Sequence, residues 1–77
     1  MITHKQFWQA IDKMASEAKM SRSKMAIKTG LDATALNKGN EINRTTGKEH
    51  WLSFQTVNKL CETCGITLKH FVELTGE

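Results

Sequence analysis

Two cysteines in Cys61-Glu62-Thr63-Cys64, with His70 six residues further on, are the side chains best suited by type to thiol or metal chemistry. Their spacing would serve a redox pair or half a zinc site, since both hold two thiolates close together. The sulfurs also continue an apolar stripe through Val57 and Leu60, and free cysteine packs as a small hydrophobe, so both are read as core. His4 and His50 are exposed by pattern and supply no fourth ligand, and no metal or cofactor is expected. The chain has no nucleophile with a base and an orienting partner, no paired-carboxylate motif and no glycine-rich phosphate loop. No enzyme activity is expected.

The basic residues are more informative. The formal charge is only +3, but residues 19 to 48 hold Lys19, Arg22, Lys24, Lys28, Lys38, Arg44 and Lys48 against Asp32 and Glu41 alone. The rest of the chain has four bases (Lys5, Lys13, Lys59, Lys69) and six acids (Asp12, Glu17, Glu49, Glu62, Glu73, Glu77). One contiguous segment therefore carries the whole positive excess, as a surface that meets phosphates would. A solvated basic face is the plainer reading of the same run.

With 77 residues there is room for one domain, 1–77, whose core leaves roughly 3–5 kcal/mol of net stability. No stretch approaches the roughly 18 apolar residues of a membrane span, and Met1-Ile2-Thr3-His4 lacks the apolar run of a signal peptide. A cytoplasmic location, no membrane partner and reduced cysteines are expected.

The chain has no proline, so caps and glycines must separate its elements. Thr3 and Gln6 have capping-box spacing, and Phe7, Ile11, Met14, Ala15 and Ala18 then give one amphipathic helix to about Lys19. Ser21 caps a second helix, with Met25, Ala26 and Thr29 inward, which Gly30 ends. Asp32 caps a third, Ala33 to Lys38, stopped by Gly39. From Gly39 to Leu52 the polar, turn-rich sequence reads as a long, partly mobile loop whose large apolar residues are Ile42 and Trp51. Ser53 caps a fourth helix with Phe54, Val57, Leu60, Cys61 and Cys64 on one stripe, and Thr67 a fifth with Leu68, Phe71, Val72 and Leu74 inward. Trp8 and Trp51 are expected to close the core, and Thr75-Gly76-Glu77 to fray.

The expectation is an all-α, five-helix domain with a helix-turn-helix from Arg22 to Lys38. In such a motif the first helix braces the second for a major groove ~12 Å wide. Ala26 is small where the helices cross, Gly30 takes the positive φ of the turn, and Leu31 and Leu36 pin both sides to the core.

These residues resemble the lambda-repressor-like helix-turn-helix regulators, also called the xenobiotic-response-element type, over nearly the whole chain. Met25-Ala26, Gly30-Leu31-Asp32 and Leu36 are similar to that family's core signature, and Ser53 to Val57 with Cys64 to Leu68 resemble its closing two helices. A narrower likeness lies in Trp8 with Ile11 to Ala15, Gly30 to Thr34 with Asn37-Lys38, and Trp51-Leu52-Ser53. These resemble the N-terminal DNA-binding domains of repressors with a LexA-like self-cleaving peptidase domain. Many members have glutamine at Arg22 and Ala33, so a glutamine base contact does not carry over, and Leu52 stands where proline is frequent. The resemblance implies a transcriptional repressor binding a double-stranded operator as a homodimer. The peptidase half, which supplies dimerisation in the likened repressors, is not among these residues, so this is either an excised domain or a stand-alone regulator.

On that reading Asp32 to Lys38 enters the major groove, where Ala33 and Thr34 touch base methyls or hydrogen-bond an edge. Asn37 suits adenine and Lys38 guanine. Ser21, Arg22 and Ser23 open the second helix, where free amides attract a phosphate, and Arg22 is the best single phosphate ligand. Asn40, Asn43, Arg44 and Lys48 track the backbone beyond, or Arg44 enters a minor groove. The rival expectation is a protein-interaction or antitoxin-like module built on the same bundle.

Overall fold

Each α-helix begins where a hydroxyl side chain satisfies a free amide. In the computed structural model, which describes residues 1–76, α1 runs His4–Glu17, α2 Arg22–Lys28, α3 Phe54–Cys64 and α4 Leu68–Leu74. Thr3 Oγ1 accepts from the Gln6 amide at 3.1 Å while Gln6 Oε1 accepts from the Thr3 amide at 2.8 Å, closing the expected capping box. Ser21, Ser53 and Thr67 accept from the amides of Lys24, Thr56 and His70.

The helices also end alike. After α2, the amides of Gly30 and Leu31 reach back to the carbonyls of Ile27 and Ala26, and Gly30 takes φ +86°. After α1 the same pattern joins Lys19 and Met20 to Ser16 and Ala15, but there Lys19, which has a Cβ, sits at φ 58°.

Helix α1 packs against each of the other three helices and supplies much of the core: Phe7, Trp8, Ala10, Ile11, Met14 and Ala15. Met25 and Ala26 of α2, Val57, Leu60 and Cys61 of α3, Phe71 of α4 and the lone Leu36 complete it. Cys61 is buried, as expected, and Cys64 is half-buried with its Sγ 3.4 Å from Met25 Sδ. Burial pushes both thiols up, away from the reactive thiolate form.

Several expectations need correction. Among the described residues the structure is all-helical, but it has four α-helices, and Ala33–Lys38 is not a helix. Turns occupy 33–36, Asn37 is extended at ψ 150°, and a single 3-10 turn follows at Lys38–Asn40. The Thr34 carbonyl, which would accept from residue 38 in an α-helix, instead accepts from the Asn37 amide and the Asn40 side chain. Phe54 is exposed, because burial on α3 begins at Val57. Val72 is also exposed, since the inward stripe of α4 follows Leu68, Phe71 and the buried Thr75. Thr75 is thus packed rather than frayed, while Glu77 lies outside the described residues. Trp8 is buried, but Trp51 is exposed and lies on its neighbours' rings, 5.2 Å from Phe7 and 5.4 Å from His4. No helix among the described residues is long and apolar enough to cross a membrane.

Candidate nucleic-acid interface

The expected interface begins at α2, whose first residue is turned inward. The Arg22 side chain is 12% exposed, with Nε 2.6 Å from Asp12 and Nη1 2.7 Å from Glu41. Nη1 also donates to the Leu36 carbonyl at 3.0 Å, Nη2 to the Trp8 carbonyl at 3.4 Å, and the guanidinium lies 5.3 Å from the Trp8 ring centre. Burial alone would lower the Arg22 pKa, but the hydrogen bonds and charges of Asp12 and Glu41 outweigh it and the net shift is upward. Arg22 is therefore enclosed and paired with two carboxylates, where its position at the start of α2 suggests an exposed side chain. Beside it, Ser21 is occupied in capping the helix, and Ser23 is exposed.

Next comes the turn of residues 32–40. Asp32 Oδ1 accepts from both the amide and the hydroxyl of Thr34, at 2.9 and 2.8 Å. Those two bonds, the amide first, hold its carboxyl below the usual carboxylate range. Thr34, Asn37, Lys38 and Asn40 are exposed, Ala33 and Ala35 are half-buried, and Leu36 fastens the turn to the core.

Within the segment expected as a long, partly mobile loop, residues 41–50 form a short hairpin. Ile42 and Glu49 form an antiparallel bridge, the His50 amide donates to the Glu41 carbonyl, and the Asn43 amide donates to the Lys48 carbonyl. At its tip Asn43 Oδ1 accepts from the amides of Thr45 and Thr46, the self-bonding by which asparagine builds turns. Two α1 side chains tie the hairpin down. Trp8 Nε1 donates to the His50 carbonyl at 3.1 Å, and His4 Nε2 lies 2.9 Å from the Glu41 carbonyl and 3.2 Å from that of His50. The expectation of an exposed His4 is thereby corrected, because its ring is enclosed between α1 and the hairpin.

Between turn and hairpin is an open hollow of about 470 Å³ lined by Ala35, Asn40, Ile42, Asn43, Arg44 and His50. The Arg44 guanidinium lies over Gly39, so close that a Cβ there would come 2.5 Å from Nη2. The fold thus brings Asn40, Asn43 and Arg44 together and links Thr34 to them through Asn40. Lys38 lines a different hollow, beside Arg22, Asp12 and Glu41. Among the described residues Lys19, Lys24, Lys28, Lys38, Arg44 and Lys48 make no ion pair.

Sequence reasoning missed the residues that hold this surface in place: His4, Trp8, Asp12 and Glu41. Their partners lie 10 to 46 positions away, so no local spacing marks them. The one local sign was Asn43 with Gly47 four residues on, a turn signature between Ile42 and Glu49. Comparison with family models, curated proteins and solved structures found no match to this chain.

Proposed function

We propose that this chain binds double-stranded DNA sequence-specifically and regulates transcription, as a repressor of the phage-repressor type. The observation that carries the reading is the set of six basic side chains between Lys19 and Lys48 with no acidic partner among the described residues, interleaved with exposed Thr34, Asn37, Asn40 and Asn43. In this reading the domain is lambda-repressor-like with its third helix reduced to turns. The 32–40 turn offers Ala33, Thr34, Asn37 and Lys38 to base edges in the major groove, while Arg44 and Lys48 on the hairpin meet phosphates. Two copies bind half-sites about 34 Å apart and occlude a promoter.

The test is electrophoretic mobility against duplex fragments in rising salt. Phosphate contacts by Arg44 and Lys48 alone would give a log–log slope of about −1.8 per copy, and each further contact would steepen it by ~0.9. An affinity independent of salt, or no binding at low salt, overturns the proposal. A second reading, a protein-interaction or antitoxin-like module, is supported by Ile27 on α2 and Phe54 on α3, which are 60% and 65% exposed. It would be preferred if DNA failed to bind and a protein partner were lost on Ile27→Ser or Phe54→Ser.

A further inference from the structure

Among the described residues, Arg22 is the one base of the 19–48 segment with an ion pair inside the protein, and its partners come from separate parts of the chain. Asp12 and the Trp8 carbonyl belong to α1, the Leu36 carbonyl to the turn, and Glu41 to the start of the hairpin. Only a planar fork of donors can meet two carboxylates and two carbonyls at once, which a lysine ammonium cannot do in the same geometry. With two carboxylates on one guanidinium the Arg22 charge is fully engaged, and among the described residues the free cations of the same hollow are Lys5 and Lys38. The Leu36 carbonyl that Arg22 grips belongs to the residue that anchors the turn in the core.

We infer that Arg22 is a positioning residue for DNA recognition: it fixes the 32–40 turn and the hairpin at Glu41 against α1, and contacts no phosphate. This inference rests on the DNA-binding reading of that turn.

The experiment compares the wild-type chain with Arg22→Gln, Arg22→Lys and Glu41→Gln, below the melting temperature of each. The probes are the duplex that wild type selects from a random pool and a scrambled duplex of equal length. A clamp predicts that all three variants lower the ratio of selected to scrambled affinity, by roughly tenfold or more. It also predicts an unchanged salt slope on the scrambled duplex for Arg22→Gln. A phosphate ligand predicts the reverse: a slope shallower by ~0.9 for Arg22→Gln, rescue by Arg22→Lys, and tighter binding by Glu41→Gln because a competing carboxylate has been removed. Those results overturn the inference.

Amide hydrogen exchange separates this outcome from failure of the DNA reading. If wild type selects no duplex, the DNA reading falls, and the positioning role is decided by exchange alone. Arg22→Gln should speed exchange at the amides of Ala35, Asn37, Asn40 and His50 while α3 keeps its protection. Unchanged exchange at those four amides would refute the clamp.

Discussion

The four helices and the segment from Asp32 to His50 are held by different forces. In the helices a row of apolar side chains is removed from water at each contact, whereas Leu36 is the only buried residue between Ile27 and Thr56. The rest of that segment is fastened by polar contacts: Arg22 to the Leu36 carbonyl and Glu41, and His4 and Trp8 to the hairpin backbone. Hydrophobic burial is non-directional and sets stability, while hydrogen bonds are directional and set geometry. The proposed reading surface is thus the part of the molecule whose shape can be changed with least damage to the fold.

The largest effect should come from the one residue that belongs to both regions. Leu36→Ala removes a fully buried side chain and should cost about 2–5 kcal/mol in urea unfolding, comparable with the whole stability of a domain this size. A loss below about 1 kcal/mol, within the range of a surface change, would mean that the turn does not depend on the core. Next is Trp8→Phe, which keeps most of a buried aromatic but deletes the Nε1 bond to the His50 carbonyl. The expected loss is roughly 1–2 kcal/mol, with hairpin amides deprotected more than those of α3. Equal deprotection of both would erase the distinction. Third, Arg44→Ala and Lys48→Ala should each flatten the salt dependence of DNA binding by ~0.9 while leaving the urea midpoint nearly unchanged, since both side chains are exposed.

The same division explains what could be read in the sequence. All four helix starts were legible because Thr3, Ser21, Ser53 and Thr67 each bond an amide three residues away. The apolar faces of α1 and α2 were legible through periodicity. The third helix was misread because a six-residue run is a weak helix, and the Asn40 side chain competes for the carbonyl it needs. The enclosure of Arg22 was not legible because it depends on Asp12 and Glu41, which no spacing rule connects to it. Its type and place suited a phosphate, and the chain had a nearer use for it.

The apolar periodicity carries α1 to about Lys19, but the helix ends at Glu17 and Lys19 is the left-handed residue beyond that end, where glycine is ordinarily favoured. Lys19→Gly should raise stability by roughly 0.5–1 kcal/mol, less whatever entropy the unfolded chain gains. A lower melting temperature would show that the lysine makes a compensating contact. Because the site lies in the helical half, turn amides should exchange no differently in this variant.

The smallest effect tests the helical half by pH. His70 on α4 is hydrogen-bonded at 2.8 Å to Glu17 at the end of α1, with Glu73 3.5 Å away. The Glu17 hydrogen bond, opposed by desolvation and aided by the charge of Glu17 and by the hydrogen bond and charge of Glu73, raises the His70 pKa above its ordinary value. A group whose folded pKa is raised stabilises the fold fully below its unfolded pKa, about 6.5, and loses that contribution as pH rises through the folded value. The melting temperature of wild type should therefore fall relative to His70→Gln as pH rises from about 6.5 through the raised folded value. Parallel curves would show that the contact adds nothing, as many exposed ion pairs do. A fall accompanied by faster exchange in the hairpin would be more consequential, because it would mean that the α1–α4 contact and the reading surface are coupled through α1.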